Sequence, residues 1–414
     1  MKFDNIIIGG GLSGLTCGIK LAEQGKKCAI VSSGQSAIHF FSGSFDFLGK
    51  LNGQEVKNPL EAIKTLPDSH PYQRVGVENI ARLAVEAPLL LNRAGLSFLG
   101  KADQNHFVLT PMGIMKPTWL TLDDFTRFEQ KNTFPWKKAV ILNFSGFLDF
   151  HTLFVQDGLK KFDVDSQVKN FAMKEFEAIR RNPSEMRSTN IAKVFDQGED
   201  ALNEFAEKVN LLSEGFEVVI LPAVFGLFNK NVVANLKSKI NKPLVLLPAI
   251  PPSVPGIRSQ IFLRKRFEEL GGTYFLGDNV EEGTLENNRL VAIHTKNHGD
   301  IKLEADHFVL ASGSFYSKGI VATREKLYEP ILGLDIDGDT DNEKWLDEKF
   351  FNDQPYMHYG VKTDSHFRAL INGQPIENLY VAGSVLGGAN ALKEGSGAGI
   401  SVLTSLHVAE QILK

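Results

Sequence analysis

A glycine-rich turn between a short strand and a helix constrains this fold more than any other feature of the sequence. Residues 9–14 satisfy the pattern G-x-G-x-x-G, directly after the apolar residues 5–8 and at the start of a helical pattern over residues 15–24. Gly25 ends that helix, and residues 28–31 read as the next strand. The pattern predicts a complete βαβ unit at the N-terminus.

The spacing of the glycines predicts a phosphate site in this unit. Gly9 makes the tight turn, Gly11 lets the backbone approach a pyrophosphate, and Gly14 lets helix and strand pack closely. The alternative is a tight βα turn with nothing bound. An acidic residue that holds a ribose is expected about 20 positions further on, but Ser32 and Ser33 occupy that place. A serine supplies no charge, and its presence argues against tight binding of an adenosine group.

Three later segments favour a flavin over a nicotinamide. Residues 378–384 are similar to the closing motif of flavoproteins with two dinucleotide-binding domains, with Ser384 where many of those have an acid. Residues 309–313 are similar to the Ala-Thr-Gly turn of the same proteins, with Ser312 for threonine. Residues 395–399 predict a helix N-terminus directed at the first βα unit, where its positive end would stabilise an anionic reduced flavin. The alternative is that a parallel sheet simply needs short turns.

Composition excludes several other classes of protein. The 414 residues include 45 basic and 49 acidic side chains, a balance that gives no electrostatic signature for nucleic acid. Only Cys17 and Cys28 are present, and their spacing fits neither a disulfide scaffold nor an iron–sulfur cluster. No secretory signal and no apolar run long enough to span a membrane are found, and no metal-ligand spacing stands out. We expect a cytoplasmic protein that reaches a membrane only through a partner.

The alternation of strands and helices predicts an α/β fold, Rossmann-like, with an inserted α/β domain. Strands are expected at residues 137–144, 217–222, 244–247, 273–276, 290–295, 307–311 and 379–382, and helices at 149–162, 231–240, 258–270 and 400–413. A proline cluster at residues 248–255 marks a boundary. We predict a discontinuous nucleotide-binding domain, residues 1–50 plus 250–414, and an inserted substrate or partner domain, residues 51–249.

Over its whole length the chain resembles the B subunit of the anaerobic glycerol-3-phosphate dehydrogenase. The strings that carry the resemblance are residues 34–40, 42–44, 110–113, 118–120, 251–254, 256–258, 311–315, 329–335 and 383–388. The resemblance implies a flavin-dependent oxidoreductase that converts sn-glycerol 3-phosphate to dihydroxyacetone phosphate. It also implies electron transfer toward quinone, with fumarate or nitrate as the terminal acceptor.

The same resemblance implies a cofactor and partners. The cofactor implied is FMN, which agrees with serine at positions 32 and 384, whereas the phosphate loop favours FAD. The partners implied are a larger catalytic flavin subunit and an iron–sulfur subunit that anchors the complex at the inner face of the cell membrane. A flavin-carrying electron-transfer or scaffold subunit without a dehydrogenase site of its own remains the alternative function.

The motifs and the resemblance together define the expected cofactor site. Its residues are Gly9, Gly11, Leu12, Ser13, Gly14, Ser32, Ser42, Gly43, Gly313, Gly383, Ser384 and Gly397. For a partner subunit, the expected platform is the insertion, which carries Phe125, Phe128, Phe134, Phe144, Phe147, Phe150 and Phe154. Several of these phenylalanines are expected in the core, because buried aromatic residues are the commoner case.

Candidate substrate residues are fewer. His39 follows the second strand and could accept a hydroxyl proton, or it could be a loop histidine packed between its neighbours. Arg258 opens a predicted helix and could hold a phosphate, or it could lie exposed on that helix. Lys116 is a third candidate, with a plain surface position as the alternative. The group Arg180, Arg181, Glu185 and Arg187 is expected on a solvated helix face or loop.

The phosphate assignment predicts the effect of Gly11→Val. The valine side chain would fill the space that the phosphate needs, so the variant should lose bound flavin and keep its fold, because Gly11 lies in a turn rather than in the core. The measurement is flavin absorbance per protein together with far-UV circular dichroism. A variant that keeps its full yellow complement would show that the phosphate is bound elsewhere.

Overall fold

The computed structural model describes residues 1–180 and 186–414, so Arg181 and Glu185 of the predicted solvated group lie outside the described residues. The first segment contains β1 (Lys2–Ile8), α1 (Leu12–Ala22), β2 (Cys28–Ser32), β3 (Ser44–Phe45), β4 (Lys50–Leu51), β5 (Gln54–Glu55), α2 (Pro59–Ile63), α3 (Pro71–Val75), α4 (Val77–Arg93), β6 (Phe98–Leu99), β7 (His106–Leu109), β8 (Met115–Thr118) and β9 (Leu120–Leu122). The middle segment contains β10 (Lys138–Phe144), α5 (Thr152–Lys160), β11 (Asp165–Phe171), α6 (Glu177–Arg180), α7 (Ser188–Gln197), α8 (Glu199–Leu212), β12 (Val218–Pro222), α9 (Val232–Lys239), β13 (Leu244–Leu247) and α10 (Val254–Glu269). The last segment contains β14 (Thr273–Leu276), β15 (Val280–Glu286), β16 (Arg289–Thr295), β17 (Leu303–Leu310), β18 (Val321–Ala322), β19 (Leu327–Tyr328), β20 (Ile336–Asp337), β21 (Gly360–Val361), β22 (Arg368–Ile371), β23 (Gln374–Val381), α11 (Ala391–Glu394) and α12 (Gly397–Leu413).

An eight-stranded sheet combines the two ends of the chain. Its parallel strands run in the order β14-β2-β1-β17, and β23 pairs parallel with β17. The antiparallel strands β15, β16 and β22 extend it. β1 is a central strand buried on both faces, which explains its uninterrupted apolar run. The α/β prediction is confirmed.

A second, four-stranded parallel sheet lies in the middle of the chain, in the order β11-β10-β12-β13. Parallel neighbours need crossover connections, and α5, α7, α8 and α9 supply them. Phenylalanines at positions 144, 171, 176, 195, 205 and 225 form one cluster, with ring centroids such as those of Phe195 and Phe225 4.9 Å apart. This cluster places the aromatic content in the core of the insertion.

The expected platform of exposed phenylalanines is therefore largely absent. Of the seven named above, only Phe154 is exposed, and the other six are buried. The most exposed phenylalanines lie outside the insertion, at Phe350 and Phe351, which are 84% and 89% exposed. No helix among the described residues is long and apolar enough to cross a membrane.

The proline cluster starts a helix rather than separating one from the preceding strand. α10 begins at Val254, not at residue 258. Ser253 caps it by accepting a hydrogen bond from Gly256 N at 3.1 Å, and Pro255 fits the first turn because that turn needs no amide donor. Arg258 consequently lies inside the helix and not at its N-terminus.

A buried ion pair joins α10 to the insertion. The Arg258 guanidinium bonds Asp124, and it also donates to the Gly226 carbonyl at 3.2 Å. Arg258 is only 4% exposed. Both charges are withdrawn from water, so each depends on the other for compensation.

This pair predicts a stability defect in Asp124→Ala, which leaves the Arg258 charge buried and unpaired. The expected loss is about 3–5 kcal/mol of unfolding free energy, measured by urea denaturation. Glu268→Ala is the matched control, because it unpairs Arg264 on the exposed side of the same helix and should cost at most about 1 kcal/mol. Equal small losses in the two variants would mean that the Arg258 charge does not depend on Asp124.

Candidate functional site: a glycine-lined strand edge beside a polar cavity

The carboxyl ends of β1, β17 and β23 meet at one edge of the large sheet. Ala311 N donates to the Ile8 carbonyl at 2.8 Å, and Ala382 N donates to the Leu310 carbonyl at 3.0 Å. In open α/β sheets ligands bind at this edge. The three motifs found separately in the sequence thus occupy one place.

Glycine is required here because backbones approach each other closely. A Cβ on Gly9 would overlap the Ala311 carbonyl, and Gly9 also has a positive φ of 117°. A Cβ on Gly14 would overlap the Gly9 carbonyl, which is the close helix–strand packing expected of the third glycine. Gly11 differs, because a Cβ there would meet nothing closer than Ser36 Cβ at 3.5 Å. The space above Gly11 is therefore open to a ligand.

The later motifs contact the first turn of α1. Gly383 has a positive φ of 80°, and a Cβ on it would overlap the Ser13 hydroxyl. A Cβ on Gly313 would lie 3.8 Å from Ser384 Oγ. The Ser312 hydroxyl is buried and has no hydrogen-bond partner among the described residues, as expected of a group that awaits a ligand. Leu12 and Ser13 belong to the first helical turn, whose N–H groups have no intrahelical acceptor.

Ser32 lies at the end of β2 beside an aromatic residue that the sequence analysis did not consider. Tyr274 donates from its hydroxyl to the Gly10 carbonyl at 3.2 Å. A Cβ on Gly10 would overlap both this hydroxyl and the Ser32 side chain. The Arg264 guanidinium lies 4.8 Å from the centre of the Tyr274 ring and restrains it. Tyr274 therefore fills space between the phosphate loop and the position where a ribose-binding acid is expected.

The remaining predicted cofactor residues are less tightly grouped. Ser42 and Gly43 line a small crevice with Lys116, and a Cβ on Gly43 would overlap the Phe125 ring. Lys116 pairs with Asp46 at 2.8 Å. Gly397 begins α12, and only Ala391 Cβ, at 3.6 Å, would meet a Cβ on it. The N-terminus of α12 is partly occupied, because Gly399 N donates to the Asp46 carbonyl at 2.9 Å.

The two predicted catalytic residues are not brought together with a cavity. His39 lies in a short 3₁₀ turn, Ala37–Phe40, and burial lowers its pKa while a hydrogen bond with Gln260 opposes part of that shift. Its Nδ1 is buried and unbonded among the described groups. Arg258 is held by Asp124 and Gly226, so its guanidinium is not available to a phosphate in this arrangement.

The largest cavity has a volume of about 900 Å³, and sequence reasoning missed it. Its lining is mostly polar and combines carboxylates, histidines and two lysines: Lys50, Ser69, His70, Asp337, Asp339, Asp353, His358, Tyr359, Gly388, Asn390, Lys393 and Glu394. Gly388, Asn390 and Glu394 lie between the two predicted cofactor residues Ser384 and Gly397. The cavity and the glycine-lined edge thus share one stretch of chain.

A buried network supports one wall of this cavity. His70 is 1% exposed; its Nδ1 accepts from Tyr72 N at 3.1 Å, and its Nε2 faces Glu394 at 3.2 Å. Ser396 donates to the same carboxylate at 2.8 Å. Burial opposes ionisation of Glu394, but the bonds from His70 and Ser396 outweigh it and lower its pKa. A charged Glu394 therefore fastens α3 to the start of α12.

Two further observations limit the chemistry of the site. Cys17 and Cys28 are unpaired and buried, and burial raises the pKa of both thiols, that of Cys28 to about 12. Neither is therefore a reactive thiolate. Within residues 1–180 and 186–414 no cluster of histidine, cysteine and acidic side chains is arranged to hold a metal ion.

Known proteins are similar to the whole chain. A family model described as an FAD binding domain matches residues 4–400. The B subunit of the anaerobic glycerol-3-phosphate dehydrogenase of Yersinia enterocolitica serotype O:8 / biotype 1B is 46% identical over 100% of this chain and 98% of its own length. That of Pectobacterium atrosepticum is 42% identical over 100% and 99%. Among solved structures, 3-ketosteroid delta1-dehydrogenase from Sterolibacterium denitrificans aligns over 99% of both chains with 11% identity and a TM-score of 0.45, too weak a likeness to support an inference.

Proposed function

The chain belongs to the family of anaerobic glycerol-3-phosphate dehydrogenase B subunits and is part of a flavin-dependent oxidoreductase, and on this premise we propose that sn-glycerol 3-phosphate is oxidised to dihydroxyacetone phosphate on this chain. The observation that carries the proposal is the cavity of about 900 Å³, whose wall is continuous with the glycine-lined edge. A flavin bound at that edge supplies the acceptor for the substrate's hydride. Electrons then leave toward quinone, with fumarate or nitrate as the final acceptor.

The lining of the cavity suits a phosphorylated polyol in two respects. Lys50 and Lys393 carry the ammonium groups that would pair with a phosphate. Asp337 and Asp339 would accept hydrogen bonds from substrate hydroxyls. We assign Lys50 and Lys393 to phosphate binding, and we leave His39 and Arg258, the residues expected from sequence, outside the proposed cavity site.

The second candidate function is an electron-transfer or scaffold subunit without a dehydrogenase site. One observation favours it: Asp337, Asp339, Asp353 and Glu394 line the same cavity, and four carboxylates repel a phosphate dianion. In that case the cavity would not hold glycerol 3-phosphate, and oxidation would take place on a partner subunit.

The relatives are named as one lettered subunit of their enzyme, which implies a multi-subunit complex. We propose that the partners are a larger flavin subunit and an iron–sulfur subunit that holds the complex at the inner face of the membrane. In the part of the chain that the structure describes, neither a metal cluster nor a membrane-spanning helix is present. The proposed partners would supply these functions.

We propose the same division of the chain as the sequence did, residues 1–50 plus 250–414 as the flavin domain and 51–249 as the insertion. The two sheets support it, since one uses strands before residue 33 and after 272 and the other uses only residues 138–247. α3 and α4 complicate the boundary, because they pack on α12 of the flavin domain.

We propose FMN as the cofactor, with FAD as the alternative. The position of Tyr274 supports FMN, because its hydroxyl occupies space next to Ser32 where an adenosine ribose would bind. Gly11, Leu12 and Ser13 would hold the phosphate, and Ser312, Gly313, Gly383 and Ser384 would border the rest of the flavin. The matching FAD-binding model keeps the alternative open.

The catalytic proposal predicts that activity depends on the partner and on the cavity. The isolated chain should hold flavin yet turn over glycerol 3-phosphate poorly, and adding the larger subunit should restore turnover with an artificial acceptor. In that complex, Lys50→Gln and Lys393→Gln should each raise KM at least about tenfold, since a charge-assisted hydrogen bond contributes about 1.5–3 kcal/mol. Lys265→Gln, on the exposed face of α10, is the control. Unchanged KM in both cavity variants would favour the scaffold function, and full turnover by the chain alone would exclude partner dependence.

The cofactor proposal predicts that wild-type protein releases FMN on denaturation, as identified by mass. Ser32→Glu alone should leave the FAD affinity flat or lower it, because the Tyr274 hydroxyl remains in the way. The double variant Ser32→Glu, Tyr274→Ala should bind FAD more tightly by about 10- to 100-fold, the value of one new charge-assisted hydrogen bond. FMN affinity, measured in parallel, should stay constant in all variants. Release of FAD by the wild type would refute the assignment.

A further inference from the structure

A histidine, an aspartate and an asparagine form a hydrogen-bonded group in the wall of the large cavity. His358 Nε2 lies 2.7 Å from Asp353 Oδ2, and Asn390 Nδ2 donates to Asp353 Oδ1 at 2.5 Å. Gly388 N donates to the His358 carbonyl at 2.8 Å and fixes the backbone of the histidine. All four residues line the cavity.

The partners of the imidazole define which nitrogen is free. A carboxylate only accepts, so Nε2 carries the proton that it donates to Asp353, and the lone pair is on Nδ1. Among the described residues, none bonds Nδ1. Burial opposes ionisation of Asp353, but the hydrogen bonds from His358 and Asn390 outweigh it and lower its pKa. Asp353 is therefore an anion at neutral pH and would stabilise a positive charge on His358.

The other histidine of the lining cannot serve in the same way. Both ring nitrogens of His70 are engaged, Nδ1 by Tyr72 N and Nε2 by Glu394, and the side chain is buried. His39 is not part of the cavity lining. Among the described residues His358 is thus the histidine that lines the cavity and keeps an unoccupied ring nitrogen.

We propose that His358 accepts the hydroxyl proton of the substrate alcohol, and that Asp353 and Asn390 position it. Oxidation of a secondary alcohol to a ketone removes a hydride from carbon and a proton from oxygen. The hydride goes to the flavin acceptor and the proton goes to His358 Nδ1, so that ketone, reduced flavin and imidazolium balance the reaction. This inference rests on the proposed function.

The pH dependence of the step has a definite sign. Protonation of Nδ1 in acid removes the base, so the rate falls as the pH is lowered. Asp353→Asn removes the anion that stabilises the imidazolium, so this acid limb should move to lower pH. The other titratable groups that face His358 across the cavity are Lys50, His70, Asp337, Asp339, Tyr359, Lys393 and Glu394.

The test uses the complete complex with His358→Gln, Asp353→Asn and the control His366→Gln, an exposed histidine outside the cavity. His358→Gln should lower kcat by about 100- to 10,000-fold, the usual contribution of a general base. The affinity for dihydroxyacetone phosphate, measured by calorimetry, should change by less than about threefold. Asp353→Asn should lower kcat less and shift the acid limb, and His366→Gln should match the wild type.

Two results would overturn the inference. If His358→Gln keeps the wild-type kcat, another group takes the proton. If the ketone affinity falls and kcat does not, His358 is a binding residue. Failure of the proposed function looks different, because glycerol 3-phosphate would then leave the flavin of this chain oxidised in the wild-type complex as well.

Discussion

The close approach of backbone to backbone at one sheet edge is the constraint on which the rest of the structure depends. β1, β17 and β23 are parallel, so their carboxyl ends coincide, and the turns that follow must share a narrow space. Gly9 against the Ala311 carbonyl and Gly383 against the Ser13 hydroxyl allow this without overlap. The result is a surface of amide groups and small side chains, which suits a phosphate and a flat ring system better than it suits any other ligand class.

Buried polar contacts then attach the other parts of the chain to this edge. The Arg258–Asp124 pair joins α10 to the insertion, and the bonds of Glu394 with His70 and Ser396 join α3 to the start of α12. Each contact would be costly to break, because it would leave a charge or a donor out of water without a partner. They hold distant segments in fixed positions, and the large cavity lies between segments held in this way.

The cavity brings opposite charges together in one chamber. Ammonium groups suit the phosphate of a small polyol, carboxylates suit its hydroxyls, and a histidine bonded to an ionised aspartate suits proton removal. Such a mixture gives specificity through geometry, since a ligand must match each charge in turn. It also separates tasks, because the glycine-lined edge holds the cofactor while the cavity selects the substrate.

The sequence by itself determined the local units. The β1–α1–β2 unit, the strands at β10, β12, β13 and β14, and the glycines of the cofactor edge follow from apolar runs and residue spacing, which act within a few turns of chain. Only the tertiary structure decided that Tyr274 borders Ser32, that Arg258 is neutralised by Asp124, and that Lys50, His358 and Glu394 share a cavity. These residues are far apart in the chain, and their contacts depend on how sheets and loops pack, which no local periodicity encodes.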